Sequence, residues 1–99
     1  MGGNKMSLQT QMSKLELEII KEKVKERNLE NQLDLLQLQK LRTNYEDLSL
    51  FRQYKTKREM ETLKNKIQNY RQDKETLREQ EMCAEVRYVK DLATDVVNL

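Results

Sequence analysis

Proline, histidine and tryptophan are absent from the 99 residues, cysteine occurs once, and the only glycines are Gly2 and Gly3 at the N-terminal end. Each absence removes a class of structure or chemistry. Without proline or internal glycine, the residues that usually punctuate a globular fold are missing between Asn4 and Leu99. With Cys83 alone and no histidine, zinc fingers, Cys/His nucleophile pairs, haem ligation by histidine and an internal disulfide all fall away. No cofactor and no metal are expected, and a reducing compartment suits the lone thiol. No run approaches the roughly 18 consecutive apolar residues that a membrane span needs, and no secretory h-region is present. The expectation is a soluble intracellular chain, cytoplasmic and cytoskeleton-associated rather than nuclear. Residues 1–6 read as a flexible start or a cloning scar rather than a lipid anchor, because the serine wanted by a myristoylation signal is displaced to Ser7.

What remains is polar and helical. Charged residues make up 36% of the chain at a net charge of only +2. That is too polar for a thick core and too nearly neutral, with its 15 leucines, for plain disorder. The composition predicts an all-α protein, a long continuous helix forming a coiled coil or an elongated helical bundle. Unbroken from Ser7 to Leu99, such a helix would be roughly 140 Å long at about 1.5 Å per residue. Ser7, or Ser13 with Glu16 in capping-box spacing, can open it. At the other end Asp95-Val96-Val97-Asn98-Leu99 has neither glycine nor a basic last turn, which reads as a cut within a longer parent chain.

The second half carries one heptad seam. Met60, Leu63, Ile67, Tyr70, Lys74, Leu77, Glu81, Ala84 and Tyr88 recur at alternating spacings of three and four. Lys74 and Glu81 interrupt it, and their aliphatic stems can snorkel from a narrow seam. The first half carries two registers. Leu8, Met12, Leu15, Ile19, Leu29, Leu33 and Leu36 share one; Leu17, Ile20, Val24, Leu38, Leu41, Tyr45 and Leu48 share another on the far side of the helix. Glu22, Glu26 and Lys40 break the first, and Arg27, Asn31 and Asp34 break the second. Either the seam wanders by stutters, or the helix touches neighbours on two sides. The candidate oligomer seam is Leu29, Leu33, Leu36, Leu41, Tyr45, Leu48, Met60, Leu63, Ile67, Tyr70, Leu77 and Ala84. After Tyr88 the apolar face shifts to Val89, Leu92, Val96 and Leu99.

Two places are candidates for a break. Residues 51–59 fit the seam worst, and Thr43 with Glu46 has capping-box spacing that could open a second helix and fold the chain into a hairpin. Without glycine or proline to make the corner, the unbroken helix is the expectation. For partner direction, charge blocks favour antiparallel pairing. The heptad flanks favour parallel, through Glu59 with Lys64 and Asp73 with Arg78. Contact-level pairs outrank distant, screened blocks, so a parallel homodimer or small homo-oligomer is preferred.

The basic stretch from Arg52 to Arg78 is the only feature resembling a nucleic-acid footprint, but its cations are spread round the helix and mixed with acids. Nucleic acid and membrane are therefore not expected as partners. Phe51, Tyr54, Lys55, Lys57 and Arg58, together with Val89, Leu92 and Val96, are the candidate contacts for another helical protein. Catalysis needs a concave, partly desolvated pocket, which a rod lacks, so no enzyme is expected. The sequence points first to a structural oligomerisation or scaffold module of cytoskeletal, cell-division or tethering type. An adaptor that docks a partner through an exposed face comes second, and nucleic-acid attachment through the basic middle third.

Overall fold

The computed structural model describes residues 6–98, and the fold is all-α. Helix α1 spans Leu8–Asn44, a single 3-10 turn spans Tyr45–Asp47, and helix α2 spans Leu50–Val97. The readings made of residues 1–5 and of Leu99 lie outside the described residues.

The unbroken helix expected from the missing glycine and proline is not what forms. The chain leaves α1 at Asn44, whose φ of −102° and ψ of 1° lie in the bridge region. It then passes through the 3-10 turn and re-extends at Leu48, with ψ at 153°. No described residue takes a positive φ, so this corner needs no glycine. Thr43, Asn44, Asp47 and Ser49 supply it instead, all residues whose side chains compete with helical hydrogen bonding. Thr43 does not open the second helix: its hydroxyl donates to the carbonyl of Gln39, inside the last turn of α1. Ser49 does, its Oγ accepting from the Arg52 N–H at 3.4 Å and its carbonyl accepting from the Gln53 N–H at 2.8 Å. Gln53 also donates its side-chain amide to the carbonyl of Tyr45, tying the corner to the first turn of α2. Residues 51–59, expected to be soft, are helical throughout.

Two compact units form. The first combines Met1–Lys25 with Glu75–Leu99, the second is Glu26–Lys74. In the first, α1 and α2 run antiparallel: Thr10 meets Asp95, Ser13 meets Asp91, and Glu16 meets Arg87. Leu17 and Ala84 are buried there, with Ile20, Val24, Leu77 and Tyr88 half-buried. The second unit is a hairpin whose seam holds buried Leu38 and Leu63 and half-buried Leu41, Tyr45, Leu48, Met60, Ile67 and Tyr70.

The heptad seam of the second half is thus covered within each unit by the second register of the first half. The charge blocks make the same pairing favourable. In sequence, residues 1–28 carry a net +2 and 79–99 a net −3, while 29–50 carry −2 and 51–78 carry +5, opposite signs that suit antiparallel pairing. Direction is testable in the first unit. With Cys83→Ser, cysteines in place of Glu16 and Arg87 should be joined by a short bismaleimide within single chains at every dilution; a ladder of chain-to-chain products would place the antiparallel contact between molecules.

Candidate functional site

At the N-terminal end of α1 the seam turns polar. Thr10 and Ser13 are the most deeply buried side chains described, at 0% and 1% exposed. Thr10 donates its hydroxyl to Asp95 Oδ2 at 2.7 Å, and the Ser7 backbone N–H donates to the same oxygen at 3.0 Å. Ser13 donates to Asp91 and lies within reach of the Gln9 carbonyl. Ser7 caps α1, its Oγ accepting from the Thr10 N–H at 3.2 Å.

This explains the acidic end of α2. A carboxylate in the last turn of a helix opposes that helix's own dipole, but in an antiparallel pair it sits at the positive N-terminus of the neighbour. Asp95 caps α1 from outside. The hydroxyl of Thr10 and the backbone and hydroxyl of Ser7 hold its carboxyl below the ordinary value of 3.8, against a smaller desolvation effect. A folded-state pKa below the unfolded one adds stability that is complete above the unfolded value and is lost as pH falls through the folded one. Asp95→Asn should therefore lower the thermal midpoint near neutral pH, by an amount that stays constant with falling pH until about 3.8 and shrinks only in stronger acid; no gap near neutral pH, or one that closes well above 3.8, would contradict the contact.

In the second unit Arg27, Asn31 and Asp34 occupy the seam, where they break the apolar pattern. Arg27 donates Nε to Asp73 at 3.1 Å and Nη1 to Glu30 at 3.1 Å, with its guanidinium 5.5 Å from the Tyr70 ring centroid. Tyr70 in turn donates its hydroxyl to Asn28 at 3.2 Å. The charge in the seam is thereby paired and stacked rather than stranded. Asn31 differs: its Oδ1 is buried without a hydrogen-bond partner. Such an acceptor costs about 1–3 kcal/mol, and a single polar residue at a core position is also a known means of fixing register. Asn31→Leu should raise the urea midpoint, by about 1 kcal/mol in unfolding free energy; an unchanged or lower midpoint would mean that the amide contributes more than it costs.

The candidate seam divides in two. Leu41, Tyr45, Leu48, Met60, Leu63, Ile67, Tyr70, Leu77 and Ala84 lie in the seam between α1 and α2 within the units. Leu29, Leu33 and Leu36 do not. With Leu8, Met12, Leu15 and Ile19 they form the register of α1 that faces away from α2, each 55–78% exposed. Of the candidate partner contacts, Phe51, Tyr54, Lys55, Lys57, Arg58, Val89 and Val96 are exposed and Leu92 is half-buried. Cys83 is exposed.

Sequence reasoning missed Thr10, Ser13, Asp91 and Asp95 as a group. The usable signal was their three- and four-residue spacing in line with the apolar seam at each end. Among the described residues, no group of acidic or thiol side chains could hold a metal ion, and no helix is long and apolar enough to cross a membrane. No family model, no curated protein and no solved structure matches the chain.

Proposed function

We propose that the chain is a structural scaffold module that joins copies of itself, and so spaces a larger cytoplasmic assembly of cytoskeletal, cell-division or tethering type. Its role is mechanical rather than enzymatic. The observation that carries this reading is the first apolar register of α1, which α2 leaves uncovered: Leu8, Met12, Leu15 and Ile19 in the first unit, Leu29, Leu33 and Leu36 in the second. Burying a leucine or isoleucine from full exposure is worth about 1.5–3 kcal/mol, while association costs on the order of 4–15 kcal/mol in lost freedom. One such row gives a marginal contact. Two identical rows against each other double the buried side chains and make an isologous interface favourable. Glu22, Glu26 and Lys40 interrupt the row and set which alignments of two copies avoid like charges.

Phe51 and Tyr54, exposed to 74% and 65% beside Lys55, Lys57 and Arg58, support a second reading as an adaptor for another helical protein. Light scattering separates the two. The native chain should sediment and scatter as a dimer or larger, and Leu15→Glu with Ile19→Glu should reduce it to monomer with unchanged helicity. A native chain that is monomeric at its highest workable concentration would remove the scaffold reading and leave the adaptor.

A further inference from the structure

The two flanks of the hairpin in the second unit differ in charge. One holds a surface groove of about 450 Å3 that includes Lys40 and Glu59, so its charges balance. The other holds a groove of about 400 Å3 with Leu35, Leu38 and Ile67 along its floor and Arg42, Lys64 and Arg71 on its rim, with no carboxylate in the lining. Among the described residues none of these three cations makes an ion pair; the bridges that do form in this unit engage Arg27. Lys57, seven residues before Lys64 as Arg71 is seven after it, extends the cationic row along α2. Leu35 keeps 46% of its surface exposed, whereas Leu38, three residues further along α1, is buried.

We propose that this groove docks an acidic amphipathic helix of a partner protein. The floor calls for apolar side chains at three- and four-residue spacing. The rim calls for carboxylates that recur every seven residues on the flank of the incoming helix, because Lys64 and Arg71 stand roughly 10 Å apart along α2 at about 1.5 Å per residue. A nucleic-acid strand would satisfy the cations but leave the leucine floor without a counterpart, and a phosphate-tracking surface has no use for it. Charge of one sign around an apolar centre favours a partner of the opposite sign with a complementary face. The groove lies apart from the exposed register of α1 on which the scaffold reading rests, and the two fail separately.

The test uses the full chain carrying Leu15→Glu and Ile19→Glu, so that self-association through α1 does not enter, and a synthetic probe. The probe is a helical peptide of about 21 residues, three heptads, with leucine at the two core positions and glutamate on both flanks. Controls are a scrambled isomer of the same composition, a lysine-for-glutamate version and a single-stranded oligonucleotide. The acidic amphipathic peptide should bind best, with affinity falling as salt rises. Arg42→Gln, Lys64→Glu and Arg71→Glu together should weaken it at least about tenfold, and Leu35→Gln alone several-fold, with circular dichroism unchanged in both. Equal binding of the scrambled isomer overturns the proposal in favour of bare electrostatics. Tighter binding of the oligonucleotide, insensitive to Leu35→Gln, overturns it in favour of nucleic acid. Peptide binding that survives the triple change, or a triple change whose effect is to dissolve residual oligomers of the chain, overturns it as well.

Discussion

A helix can hide only one stripe of side chains against one neighbour, and α1 carries two. The rest of the molecule follows from that constraint. Within each unit α2 packs its heptad seam against the register of Leu17, Leu38 and Leu41, so that seam is spent within the units, while Val86, Val89 and Val96 of α2 stay exposed. The surplus register of α1 stays in water. A row of exposed leucines is costly to keep unless something covers it, which is why the surface of this protein, rather than its interior, is the place to look for its function.

The choice between the two registers is not a choice of the greasier one. The inner register contains Thr10, Ser13, Arg27, Asn31 and Asp34, whereas the outer one is interrupted by Glu22, Glu26 and Lys40. What distinguishes the inner set is that most of its polar members have partners on α2: Thr10 with Asp95, Ser13 with Asp91, Arg27 with Asp73 and Tyr70. Apolar contact supplies the driving force and is indifferent to alignment. Hydrogen bonds between matched polar layers are directional, and a slip of the helices past each other would take the Asp95 and Asp91 carboxylates away from Thr10 and Ser13. Stability and register are thus carried by different residues of one seam.

Electrostatics act at two ranges with different results. Exposed pairs such as Arg87 with Glu16, at 2.9 Å, are worth about 0.2–1 kcal/mol each. The opposed signs of the charge blocks favour antiparallel pairing more diffusely, and in the chain that pairing is realised intramolecularly, where covalent connection makes partner concentration irrelevant. The parallel flank pairs, Glu59 with Lys64 and Asp73 with Arg78, describe contacts between separate molecules. Asp73 already faces Arg27 of its own chain. The same economy of charge leaves Arg42, Lys64 and Arg71 unneutralised on one flank, a one-signed edge that only the folded pair of helices assembles from residues scattered round α2 and the end of α1.

The sequence alone determined that the chain is helical, which residues share a face, and that there are three apolar registers for two helices' worth of chain. Periodicity is a property of neighbours three and four residues apart, and no other part of the fold is needed to read it. Tertiary structure decided where the chain turns and which register goes inside. The turn uses Asn44 to Ser49 with φ negative throughout, so no glycine marks it, and local cost differs little between helix and corner; only the burial gained when α2 returns along α1 tips the balance. The same holds for Asp91 and Asp95. By themselves they are poorly placed acids at the end of a helix, and they acquire a purpose only when the N-terminus of α1 lies beside them.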